Sequence, residues 1–305
     1  MGAAIAFDTS NYTTSCAWFD GETGANSGRL LDVKPGELGL RQSEALFSHV
    51  KRLPEIVEKL GFSGEIIAVG ASEKPRETED SYMPCFLAGV AEAKVLAELL
   101  KVPYFGFSHQ QGHIAAAAWS AGRMDLLERE HLAWHLSGGT TELLYVRPWG
   151  TAVKCEIIGG TQDVSAGQLI DRAGQALGLN FPSGKELDRL SLEAQKQERY
   201  KPKTDGMTFS LSGVEHKMHQ RIDAGEDARD AAYFTLASMI AAVGAATDFA
   251  KKKYGDIPVL YSGGVASNTL LRRLTPDGIF AEPRYSTDNA MGTAILTMRA
   301  VTAHG

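Results

Sequence analysis

Two segments of this chain repeat one pattern, and the repeat limits the folds open to it. Apolar residues 5–7 lead through a polar stretch, Asp8-Thr9-Ser10-Asn11-Tyr12-Thr13-Thr14-Ser15, into a second apolar run at 16–19. Residues 131–136 lead in the same way through Ser137-Gly138-Gly139-Thr140-Thr141 into another apolar run. Each reads as two strands joined by a tight turn, and the glycines of the second turn free backbone N–H groups to meet an anion. A third glycine turn, Ser262-Gly263-Gly264-Val265-Ala266-Ser267-Asn268, follows the apolar run 258–261 and precedes a helix-like stretch at 269–274. Strand–turn–strand units near the start of each half indicate a duplicated architecture. A nucleotide is expected between Ser137-Gly138-Gly139 and Gly263-Gly264, where glycine permits close backbone approach.

Between these turns, apolar residues at helical spacing predict a helix over 41–60, stopped by Gly61. Short apolar runs predict strands at 66–71 and 103–107. Further helices are predicted at 86–100, 161–179, 214–222, 228–253 and 290–302, with loops at 29–39, 73–80 and 202–213. An alanine-rich helix, 113–121, opens with His109-Gln110-Gln111-Gly112-His113. Histidines four apart on a helix share a face within reach of one metal ion. Gln110 stands where the metalloprotease version of this spacing needs a glutamate base, which disfavours zinc proteolysis.

At 305 residues the chain has room for two domains. It contains no run of about 18 apolar residues, so no membrane span is expected. The first fifteen residues lack a basic cluster ahead of an apolar core, which argues for residence in the cytoplasm. Cys16, Cys85 and Cys155 are far apart and form no C-x-x-C pair, against a disulfide framework or a cysteine zinc site. A net charge of −6 makes the molecule as a whole repel a polyanion. Binding to nucleic acid would need a local patch or a partner, and Lys251-Lys252-Lys253 and Arg272-Arg273 are the basic runs.

The ordered set of turns is the layout of the actin and sugar kinase superfamily. The expected fold class is therefore α/β, with two actin-like (ASKHA, RNase H-like) lobes around a nucleotide-binding cleft. Lobe one takes residues 1–107, completed by 289–305, and lobe two takes 108–288. More specifically, HQQGH at 109–113, SGGTT at 137–141, the segment 161–190, FSLSG at 209–213, SGGVASN at 262–268 and STDNA at 286–290 resemble the TsaD/Gcp family. That family, formerly called O-sialoglycoprotein endopeptidase, comprises tRNA N6-adenosine threonylcarbamoyltransferases. The resemblance implies transfer of a threonylcarbamoyl group from threonylcarbamoyl-adenylate to N6 of adenosine 37 in tRNA. It implies an iron or zinc ion on His109, His113 and Asp288, with His135 as a candidate fourth ligand. It also implies contacts to ATP or the adenylate from His135, Leu136, Ser137, Gly138, Gly139, Asp171, Gly184, Asp188, Gly264 and Asn268. The implied partners are tRNA and either a TsaB-like heterodimer partner or a second copy of the chain.

The chain departs from the family's pattern in several places. Asn11-Tyr12-Thr13 replace the acidic residues usual there, Gln168 replaces a glutamate, and Glu215 stands in place of a lysine. Several of these changes remove charge around the reactive centre. Two other readings therefore stand beside the transferase: a non-catalytic nucleotide-binding or scaffold protein of the same fold, and an ATP-dependent phosphotransferase.

Overall fold

The computed structural model describes residues 2–10, 12–32, 40–78 and 80–304. It divides into two compact units. Unit 1 comprises residues 1–129, 147–155 and 287–305, and unit 2 comprises 130–146 and 156–286.

Unit 1 is built on a five-stranded sheet in the order β3-β2-β1-β4-β5. Its strands are β1 (Ala3–Asp8), β2 (Thr13–Phe19), β3 (Gly24–Leu30), β4 (Ile66–Lys74) and β5 (Tyr104–Ser108). β1, β2 and β3 form an antiparallel meander, while β4 runs parallel to β1 and β5 parallel to β4. Every residue of β1 is buried, as an apolar strand in the middle of a sheet requires. Its helices are α1 (Gln42–Leu60), α2 (Leu87–Leu100), α3 (His109–Ser120) and α9 (Met291–His304).

Unit 2 repeats this plan around a sheet ordered β12-β11-β6-β7-β8-β10-β9. Its strands are β6 (His131–Leu136), β7 (Thr141–Trp149), β8 (Ala152–Thr161), β9 (Thr204–Asp205), β10 (Thr208–Phe209), β11 (Val259–Ser262) and β12 (Ile279–Phe280). β6 pairs antiparallel with β7 and parallel with β11, as β1 does with β2 and β4. The tip of the β7–β8 hairpin belongs with unit 1. The helices are α4 (Ala166–Ala176), α5 (Gly184–Leu192), α6 (Ser212–Asp223), α7 (Ala228–Tyr254) and α8 (Thr269–Leu274).

Several sequence expectations need correction. The boundary expected at 107/108 falls after Arg129, because α3 packs against α9 in unit 1. Residues 29–39, expected as loop, begin inside β3; residues 33–39 lie outside the described residues, as does Asn11. The helix expected from 161 starts only at Ala166, where Ser165 caps it by accepting from the Gln168 N–H. Asp163 is therefore a loop residue, accepting from the N–H groups of Val164 (2.7 Å) and Leu211 (2.8 Å), and it pins the 209–213 segment in place. By length and hydropathy α7 could cross a membrane, yet 67 % of its most apolar window is buried in the protein, as in a core helix. Alanines 232, 237, 242, 246 and 250 of α7 lie in the main cluster of unit 2 with Trp134, Leu169 and Phe209.

α9 fits unit 1 by backbone contact. A Cβ built on Gly292 would lie 1.7 Å from the Gly112 carbonyl oxygen of α3, and one on Gly70 of β4 would lie 1.9 Å from Thr297 Oγ1. Glycine at these positions lets α9 sit directly on α3 and on the sheet.

Inside unit 1, His49 of α1 is fully buried, its Nδ1 2.8 Å from Thr14 Oγ1 and its Nε2 without a partner among the described residues. Burial pulls its pKa down to about 4, against the opposing pull of Asp8 and with help from Arg52. The unfolded chain binds a proton near pH 6.5 that the folded protein refuses until about pH 4, so stability falls as pH drops through this window. The full loss is about 3 kcal/mol. Urea unfolding at pH 7 and pH 4.5 should show a His49→Gln variant losing less stability than the wild type; equal losses would mean that His49 titrates normally.

Candidate metal centre and nucleotide cavity

The histidine pair is set by a helix cap. Ser108, the last residue of β5, accepts from the Gln111 N–H at 3.3 Å, and the Gln111 side chain accepts from the Ser108 N–H at 2.8 Å. This capping box fixes α3 to begin at His109. Gln111 Nε2 also donates to the Val153 carbonyl at 2.7 Å, holding the first turn to the hairpin tip. His113, four residues on, then shares a face with His109, and their Nε2 atoms are 2.9 Å apart. Asp288, from the loop before α9, brings Oδ1 to 3.5 Å from His109 Nε2 and 3.3 Å from His113 Nε2. Ligand atoms on a tetrahedral ion with bonds of 2.0–2.1 Å lie about 3.3 Å apart. The spacing and the donor set, two imidazoles and one carboxylate, therefore fit a zinc or iron ion that keeps open positions.

Asp8 has no place in the sequence-derived site, yet it orients it. Its Oδ2 lies 2.8 Å from His109 Nδ1, and the carboxylate is 1 % exposed. The Ser10 N–H donates to Oδ1 at 2.9 Å and the Ser72 hydroxyl donates to Oδ2. With Asp8 holding the proton on Nδ1, Nε2 is the nitrogen left bare toward His113 and Asp288. Burial alone would depress the His109 imidazolium, but Asp8 and Asp288 outweigh it and push its pKa up to about 10. Burial likewise raises Asp288, and His109 and His113 override it to hold the carboxyl well below the usual range. Two carboxylates thus favour a cation at this point, whether a proton or a metal ion. Thr13, one of the positions that depart from the family pattern, donates its hydroxyl to Asp288 Oδ2 at 3.3 Å. The only sequence signal for Asp8 is an acid closing an otherwise apolar strand.

Unit 2 carries a cavity of about 590 Å³. Of the residues expected to contact a nucleotide, Gly138, Asp171, Gly184, Asp188, Gly264 and Asn268 line it. His135, Leu136, Ser137 and Gly139 do not: Leu136 is buried in the core, and His135 sits on β6 opposite Ser262 and Glu142. His135 is also absent from the group of converging ligand atoms. Sequence reasoning missed Gly167, Ile170, Pro182, Lys185, Val265, Ser267 and Thr269, which complete the wall.

The turn at 137–140 is sewn to the start of α4. Ser165 Oγ donates to the Gly138 carbonyl at 2.6 Å, and the Gly167 N–H donates to the Ser137 carbonyl at 3.2 Å. A Cβ on Gly167 would lie 2.5 Å from Gly138 Cα, so this approach requires glycine. Gly263 has φ +91, and a Cβ there would meet the Leu136 carbonyl oxygen at 2.2 Å, which locks the third turn beside the end of β6.

The carboxylates of the cavity are already partly engaged. Asp188 accepts from the Thr269 N–H (2.8 Å) and the Leu270 N–H (3.2 Å), and Asn268 Oδ1 accepts from the Leu271 N–H (2.8 Å). Both cap α8 and aim its glycine turn. Asp171 Oδ1 accepts from the Ser183 N–H at 2.9 Å, leaving Oδ2 for a hydroxyl in the cavity. Two of the departures from the family pattern are absorbed locally: Gln168 completes the α4 capping box, and Glu215 pairs with Arg172 at 2.8 Å.

The TsaD family model, described as tRNA N6-adenosine threonylcarbamoyltransferase, matches residues 82–295. A protein of that name from Halalkalibacterium halodurans is 32 % identical over 250 residues, covering 77 % of this chain and 69 % of its own length. Another of the same name, from Clostridium perfringens, is 33 % identical over 286 residues, 85 % of this chain and 80 % of its own. Among solved structures, full-length HypF in its phosphate- and nucleotide-bound form aligns with 98 % of this chain at a TM-score of 0.62 and 14 % identity. This chain spans about half of it, 55 %, and the likeness shows the fold alone: two actin-like α/β units. A family match over most of the chain, with relatives above 30 % identity along most of their own length, makes this protein a member of the TsaD family of transferases.

Proposed function

We propose that this protein transfers the threonylcarbamoyl group of threonylcarbamoyl-adenylate to N6 of an adenosine in tRNA, in the cytoplasm. The observation that carries the reading is the convergence of His109, His113 and Asp288 at ligand spacing in a chain of this family. In the reaction the N6 amine attacks the carbamoyl carbon. The bond from that carbon to the phosphate oxygen breaks, AMP leaves, and N6 gives up a proton. An iron or zinc ion held by His109, His113 and Asp288 would supply Lewis-acid polarisation of the carbamoyl oxygen. The chain's own groups do the rest. Asp8 fixes the His109 tautomer, the glycine turns at 138 and 264 let phosphate approach the backbone, and Asp171 Oδ2 accepts from a sugar hydroxyl.

The partners in this reading are tRNA and a TsaB-like subunit or a second copy of the chain. An apolar stripe on α1, with Phe47 65 % and Val50 52 % exposed, supports a protein partner on that face. The test is a transfer assay with tRNA and threonylcarbamoyl-adenylate, run with and without a TsaB-like subunit. Modified adenosine is expected from the wild type. Asp171→Ala should weaken adenylate binding about tenfold, the value of one hydrogen bond to a charged group. No modified adenosine under either condition would reject the transferase, and unchanged affinity in Asp171→Ala would remove that residue from the site.

A further inference from the structure

A strap of unpaired cations crosses the surface of unit 2 between α5 and β9. Its sequence, Lys196-Gln197-Glu198-Arg199-Tyr200-Lys201-Pro202-Lys203, holds four cations and one acid in a chain whose net charge is −6. The backbone of this segment is tied to α7. The N–H groups of Gln195 and Lys196 donate to Asp230 Oδ1 at 2.7 and 2.9 Å, and the Tyr200 N–H donates to Ser238 Oγ at 2.8 Å. Tyr200 packs against the core of unit 2 and Pro202 is buried, while Arg199, Lys201 and Lys203 are exposed. Proline at 202 holds Lys201 in an extended conformation.

More and less exposed residues therefore alternate along 199–203, leaving the three cations in solvent; in an extended chain, alternate residues lie about 6.6 Å apart. The one acid in the strap, Glu198, turns to Arg221 at 3.0 Å, a guanidinium it shares with Glu226. Among the described residues no carboxylate pairs with Lys196, Arg199, Lys201 or Lys203. Lys217 of α6 adds a fifth positive charge alongside, stacked over the Tyr200 ring at 5.0 Å. An anchored backbone, regular spacing and unspent charge suit a phosphodiester backbone, and a molecule that repels polyanions overall needs such a local contact.

We propose that Arg199, Lys201 and Lys203, none of which lines the cavity, form a phosphate-tracking strap that holds an RNA backbone on unit 2. The proposal rests on the reading of tRNA as substrate. It is sequence-independent binding, so its signature is salt dependence. Binding of tRNA is measured across a salt series for the wild type, for Arg199→Gln/Lys201→Gln/Lys203→Gln, and for Lys251→Gln/Lys252→Gln/Lys253→Gln, which changes net charge equally at the end of α7. Losing three contacts lowers the slope of log K against log salt by about 2, at roughly 0.7 per contact. That drop is expected in the first variant alone, with a Kd weakened at least tenfold at low salt.

Equal effects in both variants would reduce the strap to net charge, and no effect in the first would overturn it while leaving the transferase reading intact. A wild type that binds poly(U) but not tRNA, with the strap variant losing it, would keep the strap and remove the tRNA reading. Strap-dependent binding only to anionic lipid vesicles, or no binding to any RNA, overturns the strap.

Discussion

Wild-type protein is expected to purify with close to one equivalent of iron or zinc, and His113→Ala to purify with none. Removing one of three protein ligands leaves an imidazole and a carboxylate too few to hold a borderline ion against buffer, a loss on the order of a hundredfold or more in affinity. Asp8→Ala is expected to fall between the two. It removes no ligand, but it frees the His109 ring to turn and to carry its proton on either nitrogen, and losing the partner that orients a ligand costs about 10–100-fold. Asp8→Asn separates charge from orientation, because the amide oxygen can still accept from Nδ1 while the negative charge is gone. His135→Ala should keep the metal, since His135 lies outside the converging group. Metal analysis after dialysis, with competition by a chelator, reads all four variants. A metal-free wild type would end the site, and loss in His135→Ala would make it a four-ligand centre.

The second large effect is expected far from any ligand atom. Gly292→Ala places a methyl group 1.7 Å from the Gly112 carbonyl oxygen and 2.9 Å from the Ala116 nitrogen, both backbone atoms that cannot turn aside. Relief requires α9 to back away from α3, and overpacking of this kind costs about 3 kcal/mol or more. The neighbouring Gly112→Ala is the internal control. Its methyl would lie 3.0 Å from Thr293 Oγ1, a side-chain atom at a much milder distance with the nearest backbone atom at 3.6 Å, so the cost should stay near 1 kcal/mol. Thermal unfolding should therefore rank wild type above Gly112→Ala and Gly112→Ala well above Gly292→Ala. Similar melting temperatures for all three would show that the helices slide without penalty.

What the sequence made legible followed the strength of its periodic signals. β1, β2, β6, α1 and α7 carry long apolar patterns bounded by turn residues, and they form where those patterns lie. β3 escaped notice because Gly-Ala-Asn-Ser-Gly-Arg-Leu has no alternation; it is an edge strand with no fully buried residue and is held by backbone pairing to β2. His109 and His113 were visible through their spacing alone, whereas Asp288 needed the family pattern, since nothing local marks a carboxylate that meets them across the fold. Asp8 looked like any turn acid. Asp188, expected at a sugar, lines the cavity and also accepts from the first turn of α8 with both oxygens, an interaction visible only once two distant helices are placed together.

The seating of α9 also orders events during synthesis. A ribosome completes His109 and His113 early, then makes all of residues 156–286 before it reaches Asp288 and the helix that follows. Until then α3 has no Gly292 to lie against and its two imidazoles have no carboxylate partner from that loop. The candidate metal centre is thus a record of completion: a chain interrupted anywhere within unit 2 lacks both the helix that α3 packs against and the carboxylate that meets its two imidazoles.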